Sequence, residues 1–138
     1  TYIIKGFSLE EAREVFKTKP AQLSLEEMFL VAESYPVGSQ EFRHVFDVAV
    51  RLYPNDPIAN LNAANIAIEK RDMILAKSYL AKAGDAPEAV HARAVVAVFD
   101  GDYASAESLF TEAKSKGVAQ AEANLALLQK IKKHGMKK

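Results

Sequence analysis

The feature that most constrains this chain is an internal repeat of small and large apolar residues. Residues 76–83 and 106–113 carry alanine, then leucine or phenylalanine, then alanine at the same offsets. Residues 42–49 show the offsets again earlier in the chain, with Phe42 at the first small-residue position. A period of about 30 to 34 residues, with two helices in each unit, is typical of stacked helical repeats, because a lone helix pair cannot bury its apolar face.

Helix signals divide the rest of the chain into consecutive helices with short connections. Ser8 with Glu11, and Ser24 with Glu27, form capping boxes, in which each side chain bonds the other residue's backbone N–H. Predicted helices cover 9–17, one segment from 25, one after Ser39, and then 57–71, 73–83, 87–100, 103–116 and 118–134. No segment alternates with period two, and 19 alanines lie between positions 57 and 126. The sequence therefore predicts an all-α fold of closely packed helices.

The small, aromatic and small residues of the second helices resemble the tetratricopeptide repeat (TPR) family, most clearly at Ala106, Phe110 and Ala113. The resemblance implies a right-handed α-solenoid of antiparallel helix pairs, with about three repeats and capping helices at both ends. Residues 1–22 would be a lead-in segment with a short capping helix, and 23–138 the repeat domain. The positions implied to pack the repeats are Phe46, Ala49, Ala64, Ala76, Leu80, Ala83, Ala94, Ala106, Phe110 and Ala113.

The chain also departs from the TPR pattern. The family's leading tryptophan and first-helix tyrosine are missing, Leu30 stands at a small-residue position, and the junction at 85–87 is short. The fourth unit has only its first helix, which would act as a terminal cap. An irregular helical bundle with an accidental alanine period is the alternative architecture.

The resemblance implies a concave groove, lined by first helices, as the binding surface. In the family's register the groove-facing positions are Glu27, Val31, Leu61, Asn62, Asn65, Ile68, His91, Val95, Val98, Leu125 and Gln129. Of these, Asn62, Asn65, His91, Val95 and Gln129 are the candidate binding residues. The two asparagines, three positions apart on one helix, could bond a peptide backbone, or they could instead bond loops and water. The family's carboxylate clamp is not carried over, because Leu61, Ala92 and His91 stand where its cations would be.

The chain offers little for catalysis. It has no cysteine, and its three histidines, His44, His91 and His134, lie far apart in the sequence without acidic partners at metal-ligand spacing. The Asp100–Gly101–Asp102 sequence lacks the later oxygen ligands of a calcium loop, and is interpreted as a turn followed by an N-cap. The acidic pairs that open the first two helices fit the capping boxes. We therefore expect no enzyme activity, no metal and no cofactor.

Charge and hydropathy limit the partners. There are 18 basic and 18 acidic residues, a pI near 6.8 and a mean hydropathy of −0.09. Balanced charge argues against nucleic acid, and no apolar run is long enough for a transmembrane segment. The lysines after position 129 are expected to form a solvated tail, with a phosphate or acidic-lipid contact as the alternative. The partner is therefore expected to be a protein or peptide.

A weaker resemblance concerns the cellular compartment and the kind of protein from which the chain comes. Residues 9–15 leading into 25–32 are similar to the C-terminal repeat segments of bacterial cell-envelope proteins that also carry an OmpA-type domain. Residues 2–4 would then end that upstream domain. This implies a periplasmic or outer-membrane-associated protein, with a cytoplasmic one as the alternative. Two functions stay open: a protein-binding module, or a structural spacer that assembles through its ends or convex face.

Overall fold

A computed structural model describes residues 8–135, and within that range the chain is all-α, without strands. A short 3₁₀ helix, Pro20–Gln22, follows the first α-helix. The α-helices are α1 (Leu9–Thr18), α2 (Leu25–Glu33), α3 (Gln40–Leu52), α4 (Pro57–Glu69), α5 (Met73–Leu80), α6 (Pro87–Phe99), α7 (Tyr103–Ser115) and α8 (Ala119–Gly135). The all-α prediction is confirmed. The interpretation of residues 2–4 as the end of an upstream domain lies outside the described residues.

The helices begin where the capping residues predict. Ser8 and Ser24 each accept a hydrogen bond from the backbone of the third helical residue, at 3.1 Å, and the glutamates there return the bond. Asp56, Asp72 and Asp102 accept in the same way at the starts of α4, α5 and α7. The carboxylates of Glu11 and Glu27 are thus occupied in capping, as the sequence predicts.

The chain divides into two compact units, residues 1–63 and 64–138, and α4 runs across the division. The boundary predicted from the sequence, between a lead-in segment (1–22) and a repeat domain (23–138), differs from this division and stays a prediction. In the first unit α2 packs against both α1 and α3. Met28, Val31 and Ala32 of α2 and Val45, Phe46 and Ala49 of α3 are buried there. The Tyr53 hydroxyl donates to the Leu23 carbonyl at 2.9 Å, which fixes the chain after α3 against the start of α2.

In the second unit, α6 packs against α5 and α7, and α7 packs against α8. One buried cluster of this unit is formed by Val90, Ala94, Ala97, Ala106, Phe110, Ala113, Ala121 and Leu128. Ala94 and Ala106 are fully buried, and Phe110 is the one large aromatic side chain of the cluster. All ten residues that the resemblance implies for packing are buried, in one unit or the other.

The element bounds repeat along the chain. The first helices α4 and α6 begin at Pro57 and Pro87 and are both 13 residues long, and the second helices α5 and α7 begin, after an equal step, at Met73 and Tyr103. The turns inside the two pairs also match. Asp72 donates its N–H to the carbonyl five positions back, and Asp102 does the same, both at 2.9 Å. This is the Schellman helix ending, used twice at equivalent places.

The residue before each aspartate adopts a left-handed backbone. Arg71 has φ 63° and Gly101 has φ 80°. A Cβ at position 101 would contact nothing within 4 Å, so conformational strain is the only cost of adding one. We therefore expect Gly101→Ala to lower the free energy of unfolding by about 1 kcal/mol in urea denaturation. In the reciprocal variant, Arg71→Gly, relief of strain opposes loss of the Arg71–Phe99 ring contact, and a small net change is expected.

The predicted end of α5 is wrong. The sequence predicts a helix to position 83 that stops at Gly84, whereas the α-helix ends at Leu80 and residues 81–83 form tighter turns. The cause is Arg93 of α6, whose guanidinium donates at 2.7 Å to the carbonyl oxygens of both Leu80 and Gly84. A side chain from the following helix thus supplies the hydrogen bonds that another helical turn would otherwise provide.

Candidate functional site

The predicted groove residues have unequal exposure. Val31 is fully buried in the first unit, so its predicted place in a groove is wrong. The side chain was assigned to the groove by register alone, and packing of α2 against α1 and α3 buries it instead. Asn65 and Gln129 are exposed, whereas Glu27, Leu61, Asn62, Ile68, His91, Val95, Val98 and Leu125 are partly buried.

The asparagines of α4 differ in their hydrogen bonds and in their exposure. The Asn62 amide donates to the carbonyl of Ile58, one turn back in its own helix, at 2.9 Å. Asn60, which sequence reasoning missed, is 1% exposed and donates to the carbonyls of Pro54 and Asp56 at 3.0 and 2.8 Å. Asn60 therefore fixes the turn that precedes α4. Asn65 is exposed on α4.

The second unit brings His91 of α6 together with Asn124 of α8. The Asn124 amide nitrogen lies 2.9 Å from Nε2 of His91, and both residues are partly buried. The His91 ring also packs on Phe110 of α7, with a centroid separation of 5.5 Å. Asn124 was not among the predicted groove residues, because the register places Leu125 there.

As placed, the Asn124 amide nitrogen donates to Nε2 of His91, which corresponds to a neutral ring with its proton on Nδ1. Burial lowers the pKa of His91 from its ordinary value of 6.5, which favours the same neutral form. The hydrogen bond and the desolvation thus act in one direction.

This linkage predicts a pH dependence of stability. Because the folded state has the lower pKa, the unfolded chain binds a proton at His91 first as the pH falls. The contribution of His91 is complete above pH 6.5 and is lost as the pH falls from there through the folded-state pKa. We expect urea midpoints measured between about pH 7.5 and about pH 5 to fall more steeply for the wild type than for His91→Gln. Parallel curves would contradict the neutral assignment.

Apolar side chains continue the surface around this pair. Val95 lies one turn after His91 on α6, and Leu125 follows Asn124 on α8; both pack against the buried cluster while staying partly exposed. We call these four residues, His91, Val95, Asn124 and Leu125, the α6/α8 strip. All four side chains are uncharged. The strip thus combines one hydrogen-bonded polar pair, His91 and Asn124, with the apolar side chains of Val95 and Leu125.

The predicted groove residue Gln129 lies elsewhere. Hydrogen bonds from Lys132 and, to a smaller extent, Gln129 lower the pKa of Glu107 on α7. The Lys132–Glu107 separation is 2.6 Å. Gln129 therefore lies beside α7, among the charged residues there, and is not counted in the strip.

Two open clefts in the second unit are each crossed by an ion pair. The cleft between α5 and α6, of about 300 Å³, contains Lys77 and Asp100 at 2.7 Å, together with Arg93. The other, of about 540 Å³, lies beside α7 and contains Glu107 and Lys132. Lys77 and Glu107 occupy equivalent positions of the repeat. Each forms an ion pair with the region of the following helix, but Lys77 contributes the positive charge and Glu107 the negative one. The cations of both pairs are already neutralised, so neither cleft is a ready anion site.

Other kinds of site are missing from the part of the chain that the structure describes. Within residues 8–135, no group of three or more histidine, aspartate or glutamate side chains could hold a metal ion. Over the same range no helix has the length and hydropathy needed to cross a membrane. Asp100 and Asp102 are used in the Lys77 ion pair and in capping α7, which agrees with their interpretation as a turn.

Comparison with known proteins gives the chain no family assignment. No protein-family model matches it, and a search of curated proteins found no significant match.

Proposed function

We propose that this chain is a non-catalytic protein–protein interaction module of the tetratricopeptide type, which binds a peptide or protein partner through a concave groove of first helices. In this proposal the helix pairs stack as a right-handed α-solenoid, with α1 and α8 as its caps. A setting in the bacterial cell envelope, in the periplasm or at the outer membrane, rests on the resemblance of residues 9–32 alone.

The observation that carries the proposal is the regular recurrence of the helix pairs. Helix starts, first-helix lengths and Schellman turns recur together between α4–α5 and α6–α7. Stacked repeats form extended concave binding surfaces, and the resemblance to the tetratricopeptide family implies that first helices line this one. The hydrogen bond between His91 and Asn124 supports this use, since it joins a face of α6 to a face of α8.

The composition of the α6/α8 strip supports a protein partner over other classes. A partly buried surface with two apolar side chains and one hydrogen-bonding pair suits a polypeptide, which offers both apolar side chains and backbone amides. Neither a nucleophile with an adjacent base nor a cluster of cations belongs to the strip.

The test is capture followed by rebinding. The immobilised chain is exposed to separate envelope and cytosolic extracts, captured proteins are identified by mass spectrometry, and the leading candidate is purified. Its affinity is then measured by calorimetry for the wild type, for Asn62→Ala/Asn65→Ala and for Asn124→Ala, with Ser108→Ala on α7 as the matched surface control.

We expect the groove variants to weaken binding at least severalfold while Ser108→Ala does not. The extract that yields the partner reports its compartment. Equal affinity in all variants, together with a loss in Leu9→Ser on α1, would contradict the groove and favour a spacer that assembles through its ends.

A further inference from the structure

The helix α8 buries few of its side chains. Between positions 119 and 134 only Ala121 and Leu128 are buried, whereas six residues of the shorter α6 are. A partly exposed ion pair, between Lys132 and Glu107, links the C-terminal half of α8 to α7. Elements with few buried apolar contacts open locally at a lower free energy than the core of a domain. We therefore expect α8 to open before α6.

His91 lies where α8 meets α6 and α7. Its ring packs on Phe110 of α7, with a centroid separation of 5.5 Å, and its Nε2 lies 2.9 Å from the amide nitrogen of Asn124 on α8. The ring is partly buried, and burial lowers the pKa of His91 from its ordinary value of 6.5. Because α8 provides one side of this enclosure, moving α8 away returns the ring to water.

The charged groups on the three helices do not oppose this effect of burial. Glu88 of α6 and Glu122 of α8 are exposed to solvent, and Glu107 of α7 is paired with Lys132. A carboxylate in contact with the imidazole would raise its pKa, whereas the pKa of His91 is lowered. Desolvation of the ring is therefore the effect that links its protonation to the position of α8.

We propose that α8 is a pH-sensitive helix, which separates from α6 and α7 when His91 takes up a proton. Protonation costs more while the ring is enclosed than after α8 has moved away, so a fall in pH favours the open form. The direction is the same whichever atom of the Asn124 amide faces the ring, because it depends on burial. Opening uncovers Leu128 and separates the α6 and α8 halves of the strip. This device depends on the packing of three helices and not on the proposed function.

Two groups set the pH range of the opening. His91 has a lowered pKa in the folded state, so its contribution to docking is complete above pH 6.5 and is lost as the pH falls from there through the folded-state pKa. Hydrogen bonding from Lys132 lowers the pKa of Glu107, so that ion pair keeps its contribution above pH 4.5. Opening between about pH 6.5 and about pH 5 is therefore assigned to His91.

The test is native-state hydrogen exchange of the full chain, followed by NMR at about pH 7, about pH 6 and about pH 5. The exchange rate of each amide, divided by its intrinsic rate at that pH, gives an opening constant. The Leu128 amide reports on α8, and the Ala94 amide reports on α6. His91→Gln removes the titrating group, while His134→Gln removes an exposed histidine in the last turn of α8 itself.

We expect Leu128 to have a larger opening constant than Ala94 at each pH, because α8 opens without α6. In the wild type and in His134→Gln, the Leu128 constant should rise as the pH falls below 6.5, by at most about tenfold for each pH unit, the limit that one proton allows. In His91→Gln it should not change with pH.

Equal opening constants for Leu128 and Ala94 would overturn the proposal, because the unit would then open as a whole. A Leu128 constant that does not change with pH in the wild type would also overturn it, since α8 would then leave His91 covered. If His91→Gln does not fold, NMR titration of the wild-type ring decides, because a pKa of 6.5 or above contradicts the enclosure. The proposed function fails separately, if no captured partner responds to the groove variants.

Discussion

Replacing Phe110 with alanine is expected to lower the free energy of unfolding by about 3–5 kcal/mol. Phe110 is 2% exposed and is the one large aromatic residue in the buried cluster of the second unit. Around it the cluster is largely alanine, so few neighbouring side chains are long enough to fill the space that the ring would leave. Urea denaturation followed by circular dichroism measures the loss.

A matched control is Phe99→Ala on α6, where the ring is 47% exposed and lies against the Arg71 guanidinium. That substitution is expected to cost about 1 kcal/mol or less. If Phe110→Ala were no more destabilising than Phe99→Ala, Phe110 could not be the centre of the repeat's packing.

Enlarging Ala106 to leucine is expected to cost about 1–3 kcal/mol by overpacking. Ala106 is fully buried at the start of α7, in the same cluster as Ala94 and Ala97 of α6. A leucine there would have to displace α7 from α6, because small residues set the approach of the two helices. The urea midpoint gives the size of the effect.

The control for this variant is Ala104→Leu, two positions earlier on α7, where the side chain is exposed. A change of at most about 0.5 kcal/mol is expected there. An unchanged midpoint in Ala106→Leu would mean that close helix approach is not required, and would count against the repeat architecture.

Local signals in the sequence were enough for the helix starts. Capping at Ser8, Ser24 and Asp102 depends on residues within three positions, and each of these caps is present. Local signals did not predict the end of α5, which lies at Leu80 and not at position 83. Arg93 determines the end of α5 from the next helix along the chain, and this contact depends on how α6 packs.

The candidate site was predicted less well than the fold. The family register named three residues of the strip, His91, Val95 and Leu125. It missed Asn124 and placed the buried Val31 in the groove. A register assigns a helix face, whereas exposure depends on which neighbours cover that face. The partner of a hydrogen-bonding side chain likewise depends on tertiary packing, so the contact between His91 and Asn124 could not be derived from spacing.

Photo-crosslinking can establish whether a partner binds at the α6/α8 strip. A benzophenone amino acid is placed at Glu88, an exposed residue one turn from His91, and in a second protein at Ser108, exposed on α7. We expect the partner found by capture to crosslink from position 88 and not from position 108. Crosslinking from position 108 alone would contradict it and assign binding to the second helices.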